Sequence, residues 1–463
     1  MLKKLFLLTV VFSPLLAGSE TASNWPQWRG PGGQGISQEK GFPLDWSNTQ
    51  NVAWKASIPG RGHSSPVIWG DRIFLTTAIR LEKVEGAGAI THYRKGEVYL
   101  HPQSEGAEYR HLLKLLCLDR KTGRLIWERT AYQGTPYDHR HRANSYASGT
   151  PATDGRYVYA LFDAEGLYCY DFQGNLVWKK SLGKIAKAGM GYGMSPLLFQ
   201  DLLIIQMDKQ GFGISTDPDN PPGQGVFGDD SFITGLDKAS GREVWRTARN
   251  HRRSWATPLL VRSSERVELV SSGAESVISY NPSTGQEYWR AEGVVSHPIP
   301  SPVTGGGLVF LSAGSHKKKA MAIRLGGSGD LTGTPSVVWT YEKGTAYVPS
   351  PILYGDYLYL MTDRGVVTCL KAATGEVVYT DRLPAASTFK SSPVAFEGKI
   401  LFSSEDGQTT VVEAGPQFKI LKSNSLGESI WASPALSGGQ IFIRTESNLY
   451  RIEELGQAAG GSQ

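Results

Sequence analysis

The chain is poor in cysteine, in long apolar runs and in helical periodicity, and each scarcity closes off a class of protein. Only three of 463 residues are cysteine, and no two are adjacent. Cys117, Cys169 and Cys369 sit in equivalent apolar settings (Leu116-Cys117-Leu118, Tyr168-Cys169-Tyr170, Thr368-Cys369-Leu370), so they read as small buried hydrophobes, not as a disulfide framework. The apolar run from Leu5 to Leu16 falls short of the roughly 20 residues a membrane helix needs, and no later stretch approaches it. Gly-x-Ser-x-Gly, His-Glu-x-x-His and a phosphate loop are all missing, which removes the common hydrolase, metalloprotease and nucleotide-binding signatures.

What is there begins with an address. Lys3 and Lys4, the apolar run, and the small residues Ala17, Gly18 and Ser19 predict a signal peptide over 1–19, with a mature protein starting near Ser19 or Glu20. Leu16-Ala17-Gly18-Ser19 also has the form of a lipoprotein processing site, with Ser where the lipid-bearing Cys would stand. A periplasmic or secreted protein without a membrane span is expected. That address argues against nucleic acid as a partner.

With 54 Gly and 25 Pro, the rest reads as many short strands joined by tight turns. The clearest unit runs from Ser350-Pro351 to Tyr379 as four β-rich runs separated by Gly355-Asp356, Asp363-Arg364-Gly365 and Ala373-Thr374-Gly375. Eight such units open on a small residue and proline: Ser65-Pro66, Thr150-Pro151, Ser195-Pro196, Thr257-Pro258, Ser301-Pro302, Ser350-Pro351, Ser392-Pro393 and Ser433-Pro434. Proline is tolerated there because a strand's first residue gives up no ladder donor. Successive prolines lie 85, 45, 62, 44, 49, 42 and 41 residues apart, a period a little over 40 with two large insertions. A four-stranded unit at that period predicts an all-β, eight-bladed β-propeller of antiparallel blades.

An aromatic residue four positions after a turn Gly recurs in the fourth run, as in Gly123 to Trp127, Gly174 to Trp178, Gly241 to Trp245 and Gly285 to Trp289, and is expected to pack between blades. The fifth unit reaches Trp339 only after an insertion, and the seventh lacks the aromatic. The last unit stops after three strands, whereas Asn51-Val52-Ala53-Trp54 has the character of a fourth strand with no unit before it. The N-terminal segment is therefore expected to complete blade eight. This divides the chain into a signal peptide (1–19), an N-terminal extension (20–50), the propeller (51–454) and a flexible tail (455–463).

Leu118-Asp119-Arg120-Lys121-Thr122-Gly123-Arg124-Leu125-Ile126-Trp127, and Leu236 through Trp245 after it, resemble the tryptophan-docking repeat of the pyrroloquinoline-quinone-like (PQQ-like) propellers. Trp25-Pro26-Gln27-Trp28-Arg29-Gly30-Pro31 resembles the start of an exported bacterial branch of that family. The resemblance spans nearly the whole mature chain and implies the fold, while leaving the reaction open. Quinoprotein dehydrogenases hold PQQ beneath a disulfide of adjacent cysteines, with calcium ligands and an Asp base that match no motif here. The propeller lipoprotein of outer-membrane β-barrel assembly is a cofactor-free scaffold.

In such a ring the connections from each outer strand to the next inner strand emerge on one face. Segments 55–65, 128–150, 179–195, 246–257, 290–301, 340–350, 380–392 and 422–433 hold 18 Lys and Arg against 6 Asp and Glu, a balance of +12 in a chain whose total is +5. The channel mouth is expected to be ringed by Arg61, His63, Tyr146, Tyr192 and Trp255, together with His297, Tyr347, Lys390 and Trp431. Asp138-His139-Arg140-His141-Arg142 and His251-Arg252-Arg253 add cations. Guanidinium and imidazolium beside aromatic faces suit a planar carboxylated or phosphorylated ligand.

The expected partners are accordingly an anionic small molecule, an acidic glycan or an acidic envelope protein, bound by a monomer without catalysis. The alternative is a PQQ- and calcium-dependent alcohol or sugar dehydrogenase. His139 and His141 lack a third metal ligand, and Asp217-Pro218-Asp219-Asn220 with Asp229-Asp230 lacks the Gly-centred spacing of a calcium loop, so no metal is assigned.

Overall fold

The computed structural model describes residues 23–86, 92–94, 97–99, 103–183, 190–208, 214–215, 231–249, 254–294, 297–315, 317–384 and 387–455. The signal peptide, His251, Arg252, Arg253 and the acidic stretch from Asp217 to Asp230 lie outside the described residues. No helix among the described residues is long and apolar enough to cross a membrane.

Eight sheets, each with four antiparallel strands, follow one another in chain order around a central channel. Blade six is the simplest: Ile352–Tyr354, Tyr357–Met361, Val366–Lys371 and Val377–Arg382, from inner to outer strand. Its second and third strands are buried along nearly their whole length because neighbouring blades cover both faces. Blade four gains a fifth strand, Gly329–Asp330, which comes from the blade-five insertion and pairs in parallel with Glu287–Glu292.

Ring closure follows the expected scheme. Val52–Ser57 pairs antiparallel with Asn448–Ile452 and so becomes the outer strand of blade eight, after Ala435–Ser437 and Gln440–Arg444. It even carries the blade signature, a register shift between the third and fourth strands. In blade six the shift falls between Cys369 and Leu370; in blade eight it falls between Val52 and Trp54. Such a bulge adds local twist to the outer strand.

The fourth-strand aromatics dock as anticipated. Trp54, Trp127, Trp178, Trp245 and Trp339 each donate their indole N–H to a main-chain carbonyl of a following blade: Arg120, Phe172, Lys238, Pro282 and Ala372. Each ring covers a turn glycine of that blade. Gly375, with φ +74°, shows why: a Cβ there would come within 2.7 Å of the Trp339 ring. Trp289 is the exception, donating instead to Glu268 within blade four. Cys117, Cys169 and Cys369 are free, buried and paired across the sheet with Trp127, Trp178 and Tyr379, the same slot in three blades. Burial, the largest of several influences, pushes the Cys117 thiol up to about 12.

The residues before the closing strand seal one end of the ring. Trp25 bridges Ile68 of blade one, Pro26 accepts from Thr153 of blade two, and Gln34 accepts from Thr304 of blade five. Further along, Gly35 and Ser37 bond Ala395 of blade seven, and Glu39 accepts from Gly438 of blade eight. All of these contacts lie where inner strands end, opposite the proline end. Trp25, Phe42 and Trp46 are buried in one apolar cluster with blades one, seven and eight.

Candidate functional site

Inner strands start at the proline end, so the channel opens there and is closed by the N-terminal segment at the other. The result is a blind cavity of about 640 Å³, inside the range of about 300–1,000 Å³ in which small-molecule sites fall. Trp28 forms its floor and donates its indole N–H to Ser301 Oγ at 3.2 Å.

The connections build the wall. His63, His141, Tyr192, Trp255, His297, Tyr347, Lys390 and Trp431 all line this cavity. Trp255, His297 and Tyr347 form an arc, with ring centres 5.9 Å and 6.3 Å apart, and His63 stacks on Trp431 at 5.0 Å. Gln103, Asn144 and Met190 complete the blade-one to blade-three side. On that side the two insertions meet over the ring: Ile214–Ser215 of blade three pairs with His92–Arg94 of blade one.

Other expected residues take different places. Arg61 sits in a recess beside the cavity, its guanidinium 5.6 Å from the Trp431 ring centre and bonded to the Arg142 carbonyl. Arg142 itself is exposed. His139, Arg140 and Tyr146 are buried between their own connection and the blade-one insertion. His139 Nδ1 accepts from the Ala107 N–H, Arg140 pairs with Glu105 and donates to the Asn144 carbonyl, and the Tyr146 hydroxyl donates to the Asp138 carbonyl.

Two electrostatic expectations change. His63 is not an imidazolium: burial, followed by the guanidiniums of Arg61, Arg444 and Arg140, holds it well below its ordinary range. His141 is held by two bonds, its Nδ1 accepting from the Ala143 N–H and its Nε2 facing Gln103 Oε1 at 2.6 Å, which places the proton on Nε2. Half of the described loop cations are also ion-paired. Arg249 pairs with fully buried Asp208, and Arg246, Arg290, Lys55 and Lys422 pair with Glu243, Glu287, Glu428 and Asp45. Lys390 is the one Lys or Arg in the described lining, and it too is paired, with Asp363 at 3.9 Å.

The residue before each proline has a role the strand-start reading misses. The N–H of Ser65 donates to Thr150 Oγ1, that of Thr150 to Ser195 Oγ, and the pattern continues through Thr257, Ser301, Ser350, Ser392 and Ser433. A girdle of hydroxyls thus stitches inner strands together around the channel. The sequence shows its signal openly, since Ser or Thr precedes the proline in all eight units.

A calcium-bound quinone would need oxygen donors, carboxylates prominent among them. The described lining contains no Asp or Glu, the three cysteines lie singly inside blades, and no cluster of three metal-ligating side chains occurs among the described residues. These residues do not fit that group.

The fold has solved relatives. The chain is similar to BamB from Moraxella catarrhalis (14% identity, 82% of this chain and 97% of that one, TM-score 0.50). It is also similar to two quinohemoprotein alcohol dehydrogenases. That of Comamonas testosteroni shares 10% identity over 95% of this chain and 83% of that one, TM-score 0.62. ADHIIG of Pseudomonas putida HK5 shares 12% over 95% and 82%, TM-score 0.56. At these identities the likeness is one of fold. No curated protein matches the chain. A family model described as outer membrane protein assembly factor BamB matches residues 112–216 and 229–458, and with most of the propeller covered the chain belongs to this family of PQQ-like repeat proteins.

Proposed function

We propose that this is a periplasmic or secreted binding propeller, without catalytic chemistry of its own, that takes an anionic planar ligand or the acidic, ring-bearing tip of an envelope partner into its blind channel. One observation carries the reading: a cavity of about 640 Å³ walled by aromatic rings and Lys390, with no carboxylate in its described lining. Rings supply a stacking surface for flat groups, and a described lining without acidic side chains sets no carboxylate directly against a bound anion, Asp363 lying behind Lys390. The family, described as an outer-membrane assembly factor, supports an envelope address.

Calorimetric titration with 2-naphthoate tests this. Binding should weaken with added salt and fall about ten-fold in Lys390→Ala combined with Trp255→Ala, as loss of one charged contact and one stacked ring predicts. Unchanged affinity overturns the site. In parallel, the protein is mixed with pyrroloquinoline quinone and calcium and assayed for dye-linked oxidation of ethanol and glucose. Turnover there would replace the binding reading with a quinoprotein dehydrogenase.

A further inference from the structure

The girdle hydroxyls are only half engaged. Each oxygen from Thr150 round to Ser433 accepts a main-chain N–H from the preceding blade, whereas none of their hydroxyl protons has an acceptor among the described residues. Ser195, Thr257, Ser301, Ser350 and Ser392 are buried, and all five line the cavity just above Trp28. Trp28 cannot serve as their acceptor, because its indole nitrogen is a donor already committed to Ser301. The bottom of the channel is therefore a closed arc of O–H donors.

Arg29, the residue after Trp28, lies beside the start of the blade-seven inner strand. Its guanidinium and the Pro393 carbonyl, the residue after Ser392, both flank Gly35: a Cβ there would fall 2.9 Å from Arg29 Nη2 and 3.1 Å from that oxygen. Arg29 is 1% exposed, Nη2 donates to the Gln34 carbonyl, and neither Nε nor Nη1 has a partner. Its backbone takes φ +58°, a left-handed conformation that a residue with a Cβ rarely adopts. No carboxylate among the described residues pairs with it, and burial alone lowers its guanidinium to about 9. A buried cation without a counter-ion, held on a strained backbone, is a costly arrangement of the kind found where a protein holds charge ready for something else.

We propose that the channel floor is an oxyanion site, in which the free hydroxyl protons of Ser195, Thr257, Ser301, Ser350 and Ser392 converge on one carboxylate or phosphate and Arg29 supplies the opposing charge. This rests on the channel being a ligand site, and it orients the ligand: acidic end down, flat body against the Trp255, His297 and Tyr347 arc. Donors fixed by a girdle need no rearrangement to receive an anion.

Three probes that differ only in head group, 2-naphthol, 2-naphthoate and 2-naphthyl phosphate, separate floor from wall in calorimetry. The native protein should bind at least one acidic probe about ten-fold more tightly than the alcohol, the scale of a few charge-assisted hydrogen bonds. The stronger acidic probe says whether carboxylate or phosphate is preferred. Ser350→Ala with Ser392→Ala should bring the ratio to about two-fold or less while leaving 2-naphthol unchanged, by loss of those same bonds. Ser350→Thr with Ser392→Thr should keep the ratio, since Thr150 and Thr257 already occupy girdle positions. Arg29→Met should lower it as well, and decides the matter if the alanine pair does not fold. A ratio unmoved by the alanine pair or by Arg29→Met overturns the floor while the channel survives. A native protein that binds none of the three overturns both.

Discussion

The two ends of the channel are built in opposite ways. The closed end is one continuous stretch of chain laid across the blades, holding Trp25 and Phe42 in the largest apolar cluster and bonding the sheets main chain to main chain. The open end is assembled from separate connections, each contributing one or two side chains, with two insertions arched over one side. A contiguous segment that covers apolar surface adds stability wherever it touches. Eight independent connections can vary without disturbing the blades, which is why loops on a rigid scaffold carry recognition.

The sharpest way to break this comparison is to make the same change at both ends. Trp25→Ala removes an indole 1% exposed, and should lower unfolding free energy by about 3–5 kcal/mol. Trp431→Ala at the mouth, where the ring is only half-buried and stacked on His63, should cost about 1 kcal/mol, the worth of one aromatic pair. Midpoints of chemical unfolding give both numbers. Equal losses would mean that the mouth is as much a structural element as the seal.

The same division decides what could be read from the sequence. Blade number, the docking tryptophans and closure by Val52–Ser57 were legible because each rests on a repeated pattern that one copy teaches and the others repeat. The mouth residues followed from that register, counted back from each proline. Individual electrostatics did not follow. His63 is kept from protonating first by burial and then by Arg61, Arg444 and Arg140, brought together from three parts of the chain, and Arg249 is paired with Asp208 beyond the end of another strand. The seal was invisible for a related reason: residues 23–50 have no repeat, and their partners are scattered from Ile68 to Gly438. The girdle hydroxyls were legible in principle, yet proline alone explains a strand start, so nothing in the pattern asked for the hydroxyl.

A smaller effect should come from the latch that fastens the closing strand. Burial works to raise the Glu428 carboxyl, but hydrogen bonds from Lys55, Asn448, Thr445 and Tyr450 outweigh it and hold it at about 2. Lys55 belongs to the closing strand and the others to blade eight or the turn before its third strand. A folded value below the unfolded one means stability is present at neutral pH and is lost as pH falls below about 4.5 toward 2. Glu428→Gln should cost about 1–2 kcal/mol at pH 7, as expected for charged hydrogen bonds partly open to water, and should remove that part of the acid sensitivity.

Glu165, in the turn of blade two at the open end, predicts the smallest effect and the reverse sign. Burial pushes its carboxyl up to about 7, against the opposing donation of the Tyr137 N–H to Oε1 at 2.6 Å. Between the unfolded value and about 7 the folded protein keeps a proton that the unfolded chain has released. Stability is thus fully present below about 4.5 and declines as pH rises to about 7, by on the order of 1 kcal/mol once screening by water is allowed for. Glu165→Gln preserves the acceptor for Tyr137 while removing the charge, so its stability should be flat across that window. A native curve that is equally flat would mean this carboxyl is ionised at the mouth, and the connection it braces, which carries His141 and Asn144 into the cavity wall, would then hold a negative charge beside a site proposed to receive an anion.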